Sequence, residues 1–214
     1  MRKGTPEEVA AQAAADDVLA VRVKKALRQR MAQLRQALPE AARKERSRRV
    51  VERIANHPWF VAAGGVALFA PMLERGEIDV HGLDALGRDA GKRIYYPFMD
   101  RTEPGFRTGF RQVRQGHELA LRGHRFLEPD PSVPDAKPEE IDFIVVPALA
   151  AALTGHRIGS GSGFYDVTLP DFPNAKYCVV VFSFQMLAEI PREPHDRPCH
   201  LVCSDEEMFE AAST

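Results

Sequence analysis

Apolar residues recur along this chain in two patterns, which predict helices and strands respectively. Near the N terminus they stand four and three residues apart, which is the spacing of one face of a helix. This stripe comprises Leu27, Met31, Leu34 and Leu38. Further along, apolar residues come in short runs that predict strands at 66–69, 93–98, 109–113, 141–146, 177–182 and 201–203. Because helical stretches alternate with these strands, we expect an α/β fold with a mainly parallel central sheet and helices on both faces.

Capping residues and prolines predict where the helices begin and end. Residues 5–8 read Thr-Pro-Glu-Glu, which is typical of a helix start, and the acidic pair at 16–17 could cap a second start. Pro39 predicts another helix through about residue 55. We also expect helices at 81–90 and at 166–169, the latter ending before a proline. The strand at 201–203 is predicted to be the last, followed by an acidic tail.

Composition and charge narrow the class of protein. The chain has 214 residues, of which 44% are hydrophobic and 28% are charged, as in ordinary globular proteins. The net charge of −1 gives no electrostatic reason to expect a nucleic-acid partner. The sequence has neither a signal-peptide pattern nor an apolar run long enough to cross a bilayer. Three cysteines, an odd number, argue against a disulfide framework, so we expect a cytoplasmic protein.

The chemistry-bearing pattern lies at residues 155–169. Three glycines alternate at Gly159, Gly161 and Gly163, between a predicted strand and a predicted helix start. Glycines allow positive φ and leave amide groups uncovered, so neighbouring N–H groups can converge on an anion, and a helix N-terminus adds to this. Arg157 is expected to carry its charge on an exposed part of the loop, and Asp166 could ligate magnesium at the exit. The alternative is a flexible surface loop. Residues 159–163 are called the glycine loop below.

A basic face accompanies the apolar stripe of the first helix. Lys24, Arg28 and Arg35 fall away from the stripe. Alone, such a face indicates a solvated surface. Together with the glycine loop, it makes a nearby phosphate plausible for Lys24 and Arg28.

Residues 157–166 resemble the phosphate loop of the 5-formyltetrahydrofolate cyclo-ligase family, whose members typically read Arg-Leu-Gly-x-Gly-x-Gly-Tyr-Tyr-Asp there. Six further segments are similar to that family in the same order, over about residues 21–205. They lie at 24–28, 66–71 with 76–79, 92–97, 126–129, 142–149 and 190–196. Each segment alone is weak, but seven in register make the resemblance specific.

The resemblance implies a fold, a domain division and a reaction. The fold is a three-layer α/β architecture, NagB/RpiA-like. The domain covers 21–205, with a helical N-terminal extension at 1–20 and a polar tail at 206–214. The reaction is the ATP-dependent cyclisation of 5-formyltetrahydrofolate to 5,10-methenyltetrahydrofolate, with release of ADP and phosphate.

The resemblance also implies roles for individual residues. ATP binding is assigned to Lys24, Arg28, Arg157, Gly159, Ser160, Gly161, Ser162, Gly163, Phe164 and Tyr165. Catalysis is assigned to Arg157 and Tyr165, and folate binding to Ala70, Glu77 and Phe164. Asp166 and Asp196 are assigned to Mg²⁺, which accompanies the co-substrate ATP.

Structural alternatives stand beside three of these assignments. Asp196 could cap a turn, Glu77 could be an exposed turn residue, and Tyr165 could be core packing.

The sequence also departs from the family pattern. Ser160 and Ser162 stand where many members have a basic residue or another glycine, and Val167 stands where many have arginine. Two other functions therefore stay open. One is a divergent ATP-using relative with another formyl or amide substrate, and the other is a non-catalytic folate- or nucleotide-binding regulator. The expected partners are small molecules, without nucleic acid or membrane, and the chain is a monomer or a homodimer.

Overall fold

The computed structural model of the chain describes residues 6–103, 105–115, 118–122, 126–191, 193 and 196–212. Within these residues the helices are α1 Pro6–Ala37, α2 Glu40–Ala55, α3 Pro58–Ala62, α4 His81–Asp89 and α5 Phe164–Thr168. Short 3₁₀ helices occur at Leu73–Arg75, Pro138–Glu140, Leu169–Asp171 and Ser183–Gln185.

The helix predictions hold with three differences. Thr5, the predicted first cap, lies outside the described residues. Helix α1 runs through 16–17 without a break, so the second start is not formed, and the expected boundary at residue 20 falls inside one continuous helix. Helix α5 begins two residues earlier than predicted, and Pro170 stands in the 3₁₀ turn that follows it, because proline fits the first turn of a helix.

Two sheets carry most of the strands. The strands are β1 Gly65–Ala67, β2 Arg93–Thr102, β3 Gly105–Gln112, β4 Ala120–Leu121, β5 Leu127–Glu128, β6 Phe143–Pro147, β7 Ala150–Ala152, β8 Arg157–Ile158, β9 Lys176–Val180, β10 Met186–Leu187, β11 Leu201–Cys203 and β12 Met208–Glu210. The large sheet has the order β12-β11-β9-β6-β1-β2-β3, and the small one β10-β7-β8. In the large sheet β11, β9, β6, β1 and β2 are parallel, while β12 and β3 pair antiparallel at the edges. The prediction of a mainly parallel sheet is confirmed.

The end of the chain differs from its prediction. Residues 208–210 form β12, which pairs with β11 in the register Leu201↔Glu210 to Cys203↔Met208. Strand β11 is therefore not the last strand, and residues 208–210 of the predicted polar tail belong to the sheet. Met208 and Phe209 are half-buried and pack against the two faces of the sheet. The prediction of an acidic tail considered only the charged residues and left out these two apolar side chains.

Helices cover both faces of the large sheet, as the sequence predicts. On one face Ile54 of α2 and Leu83 of α4 are fully buried against strand residues such as Val145. On the other face Phe164 of α5 and Leu169 pack against the sheet. Complete burial of one such aliphatic or aromatic side chain stabilises the fold by about 1.5–3 kcal/mol.

Helix α1 lies against the small sheet. Its stripe residue Met31 is buried, and Leu27 and Leu34 are partly buried, next to residues of β7 and β8 such as Ala150 and Ile158. This packing holds the basic face of α1 near the loop that follows β8. Among the described residues, no helix is both long and apolar enough to cross a bilayer.

Candidate active site

A cavity of about 670 Å³ opens at the carboxyl ends of β1 and β6, where open α/β sheets place their ligands. All the residues predicted for the site line it. Helix α1 spans the cavity from Lys24 to Arg35, which are eleven residues and about 16 Å apart along the helix. We call the part around the glycine loop the loop end. Residues 72–77 are called the acid turn, and the part of the cavity around them is called the turn end.

The glycine loop borders open space. Gly161 has φ +101° and Gly163 has φ +71°, so both need glycine, whereas Gly159 does not have a positive φ. A Cβ atom at Gly159 or Gly163 would meet nothing within 4 Å, and one at Gly161 would stand 3.6 Å from Nε of Arg28. Helix α5 has five residues. So short a helix has a small dipole, and attraction of an anion depends on the loop and its cations.

Arg157 lies in β8 and is buried, so the expectation of an exposed loop cation is wrong. Its guanidinium donates to the carbonyl oxygen of Arg197 and, at 2.6 Å, to Oδ1 of Asp166. It also lies 3.9 Å from Sγ of Cys199. Arg157 therefore ties the glycine loop to the segment after residue 196, in addition to lining the cavity.

Lys24 is also buried, which makes the solvated-surface alternative wrong for this residue. Its Nζ lies 2.6 Å from Oε2 of Glu193 and 2.6 Å from Oδ2 of Asp196. On the next turn, Arg28 donates from Nε to the carbonyl oxygen of Gly159 at 3.1 Å. The basic face of α1 thus binds the loop end through two separate segments.

The two carboxylates predicted for magnesium are each paired with a predicted phosphate-binding cation. Asp166 pairs with Arg157, and Asp196 pairs with Lys24. Asp196 also accepts the N–H of Glu193 at 2.8 Å, so the turn-capping alternative is present as well. In the described part of the chain, no three or more His, Cys, Asp or Glu side chains are grouped to hold a metal. Magnesium carried by a nucleotide needs one or two carboxylates besides the phosphates, and these two oxygen donors fit it.

Glu77 at the turn end is buried, so the exposed-turn alternative is wrong. Its Oε2 accepts the N–H of Met72 at 2.9 Å, and its Oε1 lies 3.6 Å from Nη2 of Arg35. Burial raises the pKa of Glu77, while the bond from Met72 and the charge of Arg35 act in the opposite direction. Burial also lowers the pKa of the Arg35 guanidinium, and the charge of Glu77 offsets part of that effect.

Aromatic side chains connect the two ends. The rings of Phe164 and Tyr165 meet edge to face at 4.9 Å, and Phe126 meets Phe164 at 6.3 Å. Tyr165 packs on the core and lines the cavity, so the core-packing alternative and the cavity-wall prediction both hold. Burial raises the pKa of Tyr165, with a further contribution from the charge of Glu77. Its hydroxyl is therefore protonated at neutral pH and can donate a hydrogen bond. Ala70 is buried at the cavity wall.

Several cavity residues had no predicted role. They are Gln29, Arg35, Gln36, Arg75, Phe126 and Glu193. For Arg35 the sequence contains a usable pattern, because it follows Arg28 by seven residues, two helical turns, and so shares its face. Glu193 and Phe126 lie in irregular segments, where spacing carries no such information.

The fold and the cavity together define an α/β protein with a cation-rich glycine loop at one end of its site and a buried acid at the other. Residues 20–205 match the model of the 5-formyltetrahydrofolate cyclo-ligase family, and the chain belongs to that family. The resemblance found in the sequence is confirmed.

Named relatives and a solved structure agree with the family match. The chain is 29% identical over 181 residues to the 5-formyltetrahydrofolate cyclo-ligase of Escherichia coli K12, covering 83% of this chain and 98% of the relative. It is 33% identical over 183 residues to that of Mycolicibacterium smegmatis, covering 82% and 90%. The solution structure of the Aquifex aeolicus 5,10-methenyltetrahydrofolate synthetase superposes with a TM-score of 0.77 at 26% identity, covering 90% of this chain and 94% of that one.

Proposed function

We propose that this chain catalyses the ATP-dependent cyclisation of 5-formyltetrahydrofolate to 5,10-methenyltetrahydrofolate, releasing ADP and phosphate. The observation that carries the proposal is one cavity with two chemically different ends. The loop end offers Lys24, Arg28 and Arg157 beside the glycine loop, and the turn end offers the buried Glu77. Family membership identifies the expected substrates of the two ends as ATP and 5-formyltetrahydrofolate.

The reaction needs positioning more than it needs a side-chain nucleophile. The formyl oxygen attacks the γ-phosphorus of ATP, and the bond from that phosphorus to the bridging oxygen breaks to release ADP. The neighbouring folate nitrogen then bonds to the formyl carbon and gives up its proton to solvent, and the C–O bond breaks so that the oxygen leaves with the phosphate. A site for these steps must align the reactants and offset charge on the transferred group.

The residues divide this work between the two ends. Glu77 accepts hydrogen bonds from the amide and amino edge of the pterin, with Ala70 and Phe164 beside it. The amides of 159–163 and the hydroxyls of Ser160 and Ser162 hold the phosphates.

Lys24, Arg28 and Arg157 attract the triphosphate. Arg157 also stabilises charge that develops on the transferred phosphoryl group, and Tyr165 donates from its protonated hydroxyl.

Ligand binding requires the loop-end ion pairs to exchange partners. Lys24 and Arg157 bind carboxylates in this structure. Asp166 and Asp196 would hold the magnesium ion of the nucleotide, which supplies charge neutralisation on the phosphates when bound. The two cations are then available to the phosphate oxygens. We expect the enzyme to act in the cytoplasm on free ATP and reduced folate, as a monomer or a homodimer.

An absorbance assay for the methenyl product tests the proposal. The purified chain is mixed with 5-formyltetrahydrofolate, ATP and magnesium, and ADP is measured in parallel. We expect one ADP for each methenyl product, and no ADP when the folate is omitted. ATP turnover that leaves the folate spectrum unchanged supports a relative with another substrate. Binding of folate or nucleotide without turnover supports the regulator, and no nucleotide binding contradicts both enzyme functions.

A further inference from the structure

We propose that Arg35 is a positioning residue for the folate subsite, holding Glu77 charged and correctly oriented for its ligand. The inference rests on the proposed function, because it takes the ligand of Glu77 to be a reduced folate. It concerns a residue without a predicted role, on the helix whose other end meets the triphosphate.

Arg35 is fixed from two sides. Its side chain is 9% exposed, and its Nε donates to the carbonyl oxygen of Arg75 at 3.0 Å. Its Nη2 lies 3.6 Å from Oε1 of Glu77, whose side chain is 10% exposed. The guanidinium therefore bridges the backbone of the acid turn and the carboxylate that the turn presents.

The backbones of α1 and the acid turn also meet at Arg35. Gly76 has φ +71°, and a Cβ atom there would stand 2.8 Å from the carbonyl oxygen of Arg35. Glu77 is the next residue, so its position depends directly on this contact. The packing leaves little freedom for the carboxylate to turn away from the cavity.

The distance between Arg35 and Glu77 indicates that the guanidinium stabilises the carboxylate charge without forming a hydrogen bond that would compete with a ligand. At 3.6 Å the pair is attracted electrostatically but exceeds hydrogen-bond length. One carboxylate oxygen, Oε2, accepts from Met72. Oε1 thus keeps acceptor capacity for a ligand, while the nearby guanidinium favours its charged form. A planar donor edge, such as the amide and amino groups of a pterin, matches such an acceptor.

Other ionisable groups face Glu77 with smaller effects. Arg75 lowers and Glu74 raises the Glu77 pKa from its own turn, and Tyr165 faces it from α5. Burial is the dominant influence and raises the Glu77 pKa. Removing Arg35 takes away one of the influences that oppose burial, so Glu77 must then take up a proton at a higher pH.

The test compares two cations on the same face of α1. Arg35→Met should raise the KM for 5-formyltetrahydrofolate by at least about tenfold, as expected for a weakened charged hydrogen bond, and leave the KM for ATP within about twofold. Arg28→Met, the matched variant at the loop end, should show the reverse pattern. Binding of 5-formyltetrahydrofolate without ATP, measured by calorimetry, should weaken in Arg35→Met by the same factor as KM.

A pH series separates positioning from general stability. In the wild type, folate affinity should fall as pH decreases through the Glu77 pKa, because the protonated carboxyl loses its charge. In Arg35→Met this fall should begin at a higher pH, and Arg35→Lys should move it back towards the wild type. A purely structural role would lower the melting temperature and kcat without moving the pH profile. Once Glu77→Gln is present, adding Arg35→Met should change folate affinity by less than about twofold.

The outcomes separate the two proposals. A wild-type chain that neither binds nor converts 5-formyltetrahydrofolate contradicts the proposed function, and this inference with it. An active wild type whose Arg35→Met variant keeps its folate KM and pH profile contradicts the inference alone, as does an equal rise of both KM values. If Arg35→Met does not fold, Arg35→Lys decides: an unchanged folate KM and pH profile then contradicts the inference.

Discussion

The two ends of the cavity are built differently. At the loop end, Lys24 and Arg157 pair with carboxylates that keep 14% and 27% of their side-chain surface exposed, and the glycine backbone borders open space. At the turn end, Arg35 and Glu77 are both buried and the backbones touch at Gly76.

This difference indicates which contacts are replaced on binding and which persist. At the loop end the cations are buried, but the Asp166 carboxylate is 27% exposed, so water can solvate its charge while it exchanges partners, which lowers the cost of that exchange. A buried pair cannot separate so cheaply, since each charge would lose its partner without gaining water. The loop end therefore suits a triphosphate that arrives and leaves with its own charges. The turn end suits a fixed acceptor for a planar ring.

Asp166→Asn is expected to have the largest effect on turnover, and it tests whether phosphoryl transfer takes place at the loop end. The neutral amide is a poor magnesium ligand and a weaker partner for Arg157, so turnover should fall about 10²–10³-fold at saturating magnesium. The measurement is kcat for methenyl formation, with Asp171→Asn on the exposed 3₁₀ turn as the control. Helix α5 has no side-chain cap to lose, but the buried Arg157 loses a charged partner, so the free energy of unfolding should also fall by about 1–3 kcal/mol. Retained turnover would leave Asp196 as the better magnesium ligand.

Paired glycine substitutions sharpen the contrast in packing. Gly76 and Gly163 have the same φ of +71°, but only the Cβ added at Gly76 would clash, with a carbonyl oxygen. Gly163→Ala should cost about 1–2 kcal/mol for the backbone conformation. Gly76→Ala should cost about 3 kcal/mol, because overpacking is added. Urea unfolding measures both, and Gly91→Ala, at φ +74° in open space, is the reference. Equal costs at 76 and 163 would mean that the turn end is as loosely packed as the loop.

Glu77→Gln should have the smallest effect on the free energy of unfolding, and the pH dependence of that effect tests the buried charge. The folded-state pKa of Glu77 is raised above the ordinary value of 4.5. The stabilising contribution of the protonated group is complete below the ordinary pKa and is lost as pH rises through the raised one. The free energy of unfolding of the wild type relative to Glu77→Gln should therefore decrease with pH across that window and be constant above it. A difference independent of pH would show that Glu77 titrates normally.

The sequence predicted the regular parts of the molecule better than the contacts between them. The sheet and the helix at 40–55 follow from apolar runs and prolines, which are local information. The burial of Arg157 and Lys24 could not be predicted this way. Each is buried by a segment about 40 residues or more away in sequence, through Arg197 for one and Glu193 for the other. From their charges alone, both side chains were predicted to be exposed to solvent.

The site residues were predicted as a set because they match a family pattern. That pattern carries no information about pairing. The pairing of Asp196 with Lys24 and the contact between Arg35 and Gly76 depend on how α1 packs, and the pairing of Asp166 with Arg157 depends on how α5 lies beside β8. The roles of the individual residues stay predictions until the variants are measured.

Strand β12 determines where the chain can be truncated without exposing a buried strand. The family match ends at residue 205, whereas the sheet continues to Glu210. A chain truncated at 205 would leave β11 as a bare edge, with the unpaired N–H and C=O groups that its partner covers in the full chain. The edge strand of the full chain, β12, is short and flanked by acidic residues, whereas the edge left by β11 would be apolar and would pair with edges of other molecules, which leads to aggregation. Residues 206–210 thus act as a cover for the sheet, and light scattering of the truncated and full-length chains at equal concentration would reveal it.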